Sequence, residues 1–140
     1  MKKQYEGVIL AGGQGTRIQD LTKHNINKPL IEIGEIPIIF HVAMRYLKSN
    51  ITNINILSGW NSKKFEEKFW QDLNNIRKYN YLNSFFKNAR LKVINSGNVS
   101  DTFERLAYLD HTTTEKFIIT YGDTITDLDL NKSIKNYSKR

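Results

Sequence analysis

The sequence predicts an α/β protein with a doubly wound, mainly parallel sheet. Short apolar runs alternate along the chain with amphipathic segments, and the first apolar run ends directly in a pair of glycines. This alternation is typical of repeated βα units, whose strands pair in parallel. The chain shows no internal repeat and no low-complexity linker, so we expect a single domain over residues 1–140.

The first predicted βα unit begins near the N-terminus. The run GVILA, Gly7 to Ala11, is continuously apolar, as expected for a strand buried on both faces of a parallel sheet. A long polar connection follows, and a helix is predicted from Pro37, since proline suits the first helical position. Its apolar stripe consists of Ile38, Ile39, Val42, Tyr46 and Leu47.

The second unit pairs a strand with a strongly periodic helix. The strand is predicted at Ile54 to Leu57, within NINILSG. The helix that follows carries Phe65, Phe69, Leu73 and Ile76, whose spacings of four, four and three place them on one face.

Two further units complete the predicted sheet. The third strand is Leu91 to Asn95, and Asp101 with Glu104 forms a capping-box pattern at the start of the next helix. The fourth strand is FIITYGD, which ends at Gly122 and Asp123, and a last helix covers Leu130 to Ser138. If the strands order as 3-2-1-4, ligands bind where the first and fourth strands end, at the switch point of the sheet.

Composition limits the classes of partner. The 21 Lys and Arg against 14 Asp and Glu give a net charge of +7, which favours anionic partners such as nucleotides and sugar phosphates. The chain has no cysteine and no apolar run long enough for a signal peptide or a membrane span. We therefore expect a cytoplasmic protein without a membrane partner. The aromatic stretch KKFEEKFW contains acidic residues, which argues against a nucleic-acid partner.

The loop after the first strand, within VILAGGQGTR, predicts a phosphate-binding site. Glycines directly after a buried strand let backbone N–H groups turn toward an anion. The dinucleotide fingerprint G-x-G-x-x-G fails because Ile18 holds its last position, and no Gly-Lys-Ser/Thr follows as in a P-loop. The alternative is a glycine turn without a ligand, since such turns commonly end strands.

The motif LAGGQGTR, followed eleven residues after Arg17 by Lys28-Pro29 in NKPLIEIG, resembles the signature of the sugar-phosphate nucleotidyltransferases. The stretches NSGNVSDTFERL and FIITYGDTITDLDL resemble the corresponding parts of glucose-1-phosphate cytidylyltransferases. The resemblance covers essentially the whole chain and is weakest between Asn61 and Leu91. It implies a Rossmann-like sheet of the nucleotide-diphospho-sugar transferase type.

The resemblance also implies a set of site residues. Arg17, Lys28 and Asp123 are the candidate catalytic residues. Arg17 suits the departing pyrophosphate, Lys28 the α-phosphate, and Asp123 a Mg²⁺ cofactor. The candidate nucleotide-binding residues are Leu10, Ala11, Gly12, Gly13, Gln14, Gly15, Thr16, Arg17, Lys28, Ser100 and Arg105.

Several of these residues also have ordinary structural interpretations. Lys28 alone would read as a solvated loop lysine, and Asp123 as a turn aspartate. Asp127 and Asp129 are interpreted as a turn residue and a helix cap. The three histidines show no spacing that indicates a metal or catalytic site, so no function is assigned to them.

Two features depart from the family pattern. The family's Thr-Gly-Gly-Arg appears here as Thr102-Phe103-Glu104-Arg105. The chain also stops soon after the fourth predicted strand, where the family's domain continues with a sugar pocket and a second metal-binding aspartate. We therefore expect the N-terminal, nucleotide-binding part of the domain, with the next strand's edge exposed. A homo-oligomer or a complementing second half are the candidate protein partners.

The predicted function is the transfer of a nucleotidyl group from a nucleoside triphosphate, with CTP favoured, to a sugar 1-phosphate, with glucose 1-phosphate favoured. The products are a nucleoside-diphosphate sugar and pyrophosphate. One alternative is a non-catalytic nucleotide-binding or assembly module. Another, a nucleic-acid-binding domain, rests on net charge alone and would show salt-sensitive binding.

Overall fold

The structure is a computed structural model that describes residues 5–13, 26–98, 101–111, 114 and 116–139. The elements within these ranges are, in chain order, β1 (Glu6–Ala11), a 3-10 turn (Lys28–Leu30), β2 (Glu32–Ile33), β3 (Ile36–Pro37), α1 (Ile38–Lys48), β4 (Asn53–Ser58), α2 (Ser62–Ile76), α3 (Asn80–Phe86), β5 (Arg90–Asn95), α4 (Thr102–Leu106), β6 (Phe117–Tyr121) and α5 (Leu130–Tyr137). Every predicted strand and helix is present, so the predicted α/β architecture is confirmed.

The central sheet contains β5, β4, β1 and β6 in that order, and all three neighbouring pairs are parallel. This is the order 3-2-1-4 on which the expected position of the ligand site depended. The central strand β1 pairs on one side with β4 and on the other with β6, and all six of its residues are buried. A continuous apolar run suits this position because both faces of β1 are covered by protein.

The two faces of the sheet pack against different helices. Ile9 and Ile56 face a large core built with α1, α2 and α3, in which the rings of Phe40 and Phe69 pack at a tilt with their centroids 5.0 Å apart. Val8 on the opposite face of β1 joins a smaller cluster with Leu106 and Leu109, in and after α4. Successive residues of a strand point to opposite faces, so β1 supplies both layers.

The connection between β1 and α1 contains structure that the sequence did not predict. Strands β2 and β3 form a two-residue antiparallel hairpin. Gly34 and Glu35 at its turn have φ values of 60° and 66°, the left-handed pair that a tight hairpin turn needs.

Helix α3 was also not predicted, although its Leu82 and Phe86 are buried in the large core. Elements this short carry too few residues to show a period.

The predicted capping box at the start of α4 is confirmed. The Glu104 amide donates to Asp101 Oδ1 at 2.9 Å, and the Asp101 amide donates to Glu104 Oε2 at 3.1 Å. The helix is only five residues long, and Phe103 on its outer side is 84% exposed. Of the three residues that precede Arg105, Glu104 therefore caps the helix and Phe103 faces the solvent.

Tyr46 on α1 connects the central strand β1 with the edge strand β6. Its hydroxyl donates to the Val8 carbonyl of β1 at 3.1 Å and lies 2.8 Å from the Ile118 carbonyl of β6, and its ring packs on Gly7, where a Cβ would come within 3.1 Å. Burial raises the pKa of Tyr46 far above its ordinary value of about 10, while the hydrogen bond to Val8 acts in the opposite direction. The folded protein therefore keeps this hydroxyl protonated in alkaline solution.

We expect the free energy of unfolding to fall above pH 10 because of Tyr46. The unfolded chain releases the phenolic proton near pH 10 while the folded chain retains it, so this contribution to stability is complete below pH 10 and declines above it. The slope is up to about 1.4 kcal/mol per pH unit. Urea unfolding at pH 9 and pH 11 should show a smaller decline for Tyr46→Phe than for the wild type. Tyr79→Phe, at a 60% exposed tyrosine, should decline like the wild type, and equal declines in all three proteins would contradict the assignment.

Candidate functional site

The carboxyl ends of the four main strands share one feature, a glycine within two residues of the strand end. These glycines are Gly12 after β1, Gly59 after β4, Gly97 after β5 and Gly122 after β6. Gly122 shows why the position is restricted, because a Cβ there would lie 3.1 Å from both Ile9 Cγ2 and the Leu10 carbonyl oxygen. The backbone is therefore closely packed along this edge of the sheet.

The end of β1 leads directly to the predicted phosphate loop. Leu10, Ala11 and Gly12 are buried, and Gly13 is exposed. Four predicted nucleotide-binding residues of the loop, Gln14, Gly15, Thr16 and Arg17, and also Ser100, lie outside the described residues. The predictions for these five residues stay predictions.

Lys28 and Asp123 come together beside this loop. Lys28 opens the 3-10 turn that precedes β2, and Asp123 follows Gly122 at the end of β6. Lys28 Nζ lies 2.7 Å from Asp123 Oδ2, and the two side chains are 42% and 28% exposed. Strands β1 and β6 are held in register here by the Gly122 amide, which donates to the Leu10 carbonyl at 2.9 Å. The structure thus brings together two of the three predicted catalytic residues.

Arg105 reaches the same edge from α4. Its side chain is buried, with 8% of the residue exposed, and Nη2 donates to the Gly12 carbonyl at 3.1 Å. Nη1 donates to Ser96 Oγ at 2.8 Å and to the Gly97 carbonyl at 3.2 Å. Arg105 therefore links the ends of β1 and β5, and its predicted contact with nucleotide stays a prediction.

A second set of hydrogen bonds links the loop to the turn that carries Lys28. The Trp60 amide donates to the Gly12 carbonyl at 3.2 Å, and Asn27 Nδ2 donates to the Trp60 carbonyl at 2.9 Å. Asn27 is 4% exposed and directly precedes Lys28. Packing of this kind fixes where the backbone of Lys28 lies relative to the loop.

Two buried serines complete the floor of the site. Ser96 Oγ donates to the Ser58 carbonyl at 2.7 Å, and Ser58 Oγ lies 2.7 Å from Ser62 Oγ at the start of α2. Both Ser58 and Ser96 are 0% exposed. Buried polar groups that are all hydrogen-bonded form a rigid support.

Sequence reasoning missed the supporting residues Asn27, Ser58, Trp60, Ser96 and Gly97. The Ser-Gly pairs at 58–59 and 96–97, each at the end of a predicted strand, were a usable signal. Asn27 and Trp60 carry no comparable signal because their roles depend on contacts between distant segments.

Lys28 and Arg105 bring positive charge close to the end of β1, and Asp123 brings a carboxylate. No group of three or more His, Asp or Glu side chains suited to a metal ion occurs among the described residues. Mg²⁺ is often held by one or two carboxylates together with substrate phosphates, so Asp123 alone fits a magnesium ion bound with nucleotide.

Of the other acidic and histidine residues, Asp129, His41 and His111 have structural contacts, and His24 lies outside the described residues. Asp129 Oδ1 accepts from the Lys132 amide at 3.1 Å, which confirms the predicted cap of α5. Asp127 is exposed. His41 Nε2 lies 3.0 Å from the Ile33 carbonyl, and His111 packs edge-on against Phe117.

Of the helices that the structure describes, none is long and apolar enough to cross a membrane.

The fold and the arrangement at its carboxyl edge define a Rossmann-like α/β protein with a glycine loop beside a lysine–aspartate pair. Residues 6–140 match the family model described as Nucleotidyl transferase, and the chain belongs to that family. The resemblance inferred from LAGGQGTR and Lys28-Pro29 is therefore confirmed.

Two curated relatives show the range within the family. The chain is 30% identical over 140 residues to the glucose-1-phosphate cytidylyltransferase of Salmonella typhimurium, covering 92% of this chain and 54% of the relative. It is 29% identical over 146 residues to the glucose-1-phosphate adenylyltransferase of Clostridioides difficile, covering 100% of this chain and 37% of the relative. The chain thus spans about half, or less, of the length of these relatives.

Solved structures support the fold. A crystal structure from Bacillus anthracis, assigned as a glucose-1-phosphate thymidylyltransferase in complex with sucrose, aligns with a TM-score of 0.72 at 21% identity. The alignment covers 96% of this chain and 50% of that one. At this identity the likeness establishes the fold, and it confirms the predicted doubly wound, mainly parallel sheet.

Proposed function

We propose that this chain forms the nucleotide-binding part of a sugar-1-phosphate nucleotidyltransferase. The observation that carries the proposal is the Lys28–Asp123 pair at 2.7 Å, placed beside the glycine loop at the carboxyl edge of the sheet. Ligands of open α/β sheets bind at this edge, where the strand order reverses. Family membership supports the reaction class.

The proposed reaction is an in-line phosphoryl substitution. A phosphate oxygen of the sugar 1-phosphate attacks the α-phosphorus of the triphosphate, and the bond from that phosphorus to the β-phosphate bridging oxygen breaks. The products are the nucleoside-diphosphate sugar and pyrophosphate. Charge neutralisation and positioning account for most of the catalysis that a protein provides in such a transfer.

Each site residue has a proposed part in that reaction. The backbone from Leu10 to Gln14 packs against the nucleotide. Gly15, Thr16 and Arg17 wrap the triphosphate, and Arg17 binds the departing pyrophosphate. Lys28 binds the α-phosphate once the nucleotide separates it from Asp123, and the carboxylate of Asp123 would hold Mg²⁺. When bound, Mg²⁺ supplies positive charge to the phosphate oxygens. Separation of the pair is inexpensive because both side chains are partly exposed to water.

We propose CTP and glucose 1-phosphate as the substrates. The 30% identical relative is a cytidylyltransferase, and both curated relatives described above act on glucose 1-phosphate by their names. The adenylyltransferase relative makes ATP the alternative nucleotide. Binding measured in parallel with the four common triphosphates would distinguish the bases.

Hydrogen exchange tests the proposed loop. We expect saturating CTP with Mg²⁺ to slow amide exchange across residues 12–28, because phosphate oxygens would accept hydrogen bonds from backbone amides of this segment. The measurement is exchange mass spectrometry with and without nucleotide, with residues 62–76 of α2 as an internal control that should not change. Unchanged exchange across residues 12–28 with all four triphosphates would contradict the proposal.

A binding module without catalysis is the second candidate, since this chain spans about half the length of its relatives. We expect the 140-residue chain alone to bind nucleotide without synthesis of a nucleoside-diphosphate sugar. A pyrophosphate-release assay with CTP and glucose 1-phosphate checks this expectation. Release that depends on glucose 1-phosphate would contradict it and would require a sugar site within these residues.

A further inference from the structure

Because Gly12 has no side chain, the side chain of Arg105 can lie against its Cα. A Cβ added to Gly12 would overlap the guanidinium of Arg105, and the three atoms nearest to it all belong to that side chain. The φ of Gly12 lies outside the left-handed region, so its backbone conformation does not itself require glycine. By contrast, nothing lies within 4 Å of a Cβ built on Gly13. There is therefore no space for a side chain at Gly12, whereas there is space for one at Gly13.

Arg105 also determines which way the Gly12–Gly13 peptide faces. The Gly12 carbonyl accepts from Arg105 Nη2 at 3.1 Å and from the Trp60 amide at 3.2 Å. In a planar trans peptide the N–H points opposite to the C=O, so the Gly13 N–H points away from both donors. Gly13 is an exposed residue, and its N–H lies on the side of the peptide opposite to Arg105 and Trp60.

The charge of Arg105 favours an anion at that position. Its three hydrogen-bond acceptors are the neutral oxygens of Gly12, Ser96 and Gly97, and no carboxylate of the described residues pairs with it. A buried cation without a counter-ion carries a large desolvation penalty, and an anion bound close by reduces that penalty. The guanidinium of Arg105 lies on the carbonyl side of the Gly12–Gly13 peptide, opposite to the N–H of Gly13.

We propose that Arg105 is a positioning residue, which holds the Gly12–Gly13 peptide with its N–H directed toward a bound phosphate. Glycine is required at position 12 by the guanidinium behind the loop and not by the ligand in front of it. This inference rests on the proposed function for the identity of the anion. It assigns Arg105 a part different from the direct nucleotide contact that the resemblance implied.

A double-mutant cycle on folding tests the packing part without any ligand. We expect Gly12→Ala to increase the unfolding equilibrium constant at least about 10-fold in the wild type and less than about 3-fold in an Arg105→Ala background. Gly59→Ala is the matched control, because a Cβ there would meet the Arg105 guanidinium and, in addition, the backbone oxygens of Gly97 at 2.6 Å and Gly12 at 2.9 Å, which Arg105→Ala does not remove. It should be destabilising in both backgrounds.

The same cycle in an Arg105→Lys background serves if Arg105→Ala does not fold, since lysine lacks the planar group that occupies the space. An equal effect of Gly12→Ala in both backgrounds would overturn the inference. So would a Gly12→Ala protein of unchanged stability that has lost ligand binding, because glycine would then be needed by the ligand.

Titration with inorganic pyrophosphate, followed by NMR, tests the positioning part. We expect the Gly13 amide resonance of the wild type to move on titration, and Arg105→Ala to bind at least about 10-fold more weakly without that movement. Millimolar guanidinium should restore part of the affinity. An unchanged affinity, or a Gly13 response that persists in Arg105→Ala, would overturn the positioning role. If the wild type binds neither pyrophosphate nor CTP, the proposed function fails, while the folding cycle still decides whether Arg105 requires glycine at position 12.

Discussion

Lys28→Ala is expected to lower turnover at least about 100-fold in a chain extended to the length of its relatives. In the proposed reaction the Lys28 ammonium binds the α-phosphate, where negative charge develops as the bond to pyrophosphate breaks. Groups that act at such a position typically contribute on the order of 10² in rate, which corresponds to about 2.7 kcal/mol. Steady-state kinetics with CTP and glucose 1-phosphate measure the effect.

Asp123→Asn should produce a loss of similar size, because the amide keeps the shape of the side chain and removes the charge that Mg²⁺ needs. Asp127→Asn is the matched control, since Asp127 is exposed in the same connection between β6 and α5. Lys139→Ala, at an exposed lysine at the end of the described chain, is the control for Lys28. Both controls should retain turnover within about 2-fold. A Lys28→Ala enzyme with near-normal turnover would show that the proposed charge neutralisation is wrong.

Phe69→Ala is expected to lower the free energy of unfolding by about 3–5 kcal/mol. Phe69 on α2 is 1% exposed, and its ring centroid lies 5.0 Å from that of Phe40 on α1 and 6.0 Å from that of Phe65 on α2. Removal of the ring leaves a cavity that the surrounding helices can fill only in part. Urea unfolding monitored by circular dichroism measures the change.

Phe103→Ala provides the control for that substitution. It makes the same chemical change at a residue that is 84% exposed on α4, so we expect a change within about 0.5 kcal/mol. Equal losses for Phe69→Ala and Phe103→Ala would show that the helices do not pack against the sheet as described.

The main elements of the fold were predictable because their patterns are long or chemically distinct. Phe65, Phe69, Leu73 and Ile76 repeat over nearly the whole of α2, and all four are buried as predicted. The capping box at Asp101 and Glu104 needs only local contacts, and it forms as predicted. The two-residue strands β2 and β3 and the seven-residue helix α3 were not predicted, since their formation depends on packing against α1 and α2.

The candidate site was predictable in part for a similar reason. Lys28 and Asp123 were identified from motifs 95 positions apart, and the parallel pairing of β1 with β6 brings them together. In the described part of the chain β6 lies at the edge of the sheet, and its Ile119 and Tyr121 are 45% and 58% exposed. The supporting contacts of Asn27, Trp60 and Ser96 could not be predicted, because each joins segments that are distant in sequence.

The sequence by itself determined the parallel α/β fold, the position of the glycine loop after the first strand, and the family to which the chain belongs. These follow from hydrophobic periodicity, local turn chemistry and motif spacing, which act over a few residues at a time. Only the tertiary structure decided that Arg105 lies behind Gly12 and that Lys28 pairs with Asp123. Those contacts depend on how strands and helices from separate parts of the chain pack at one edge of the sheet. A pattern of neighbouring residues does not specify which distant segment a side chain will contact.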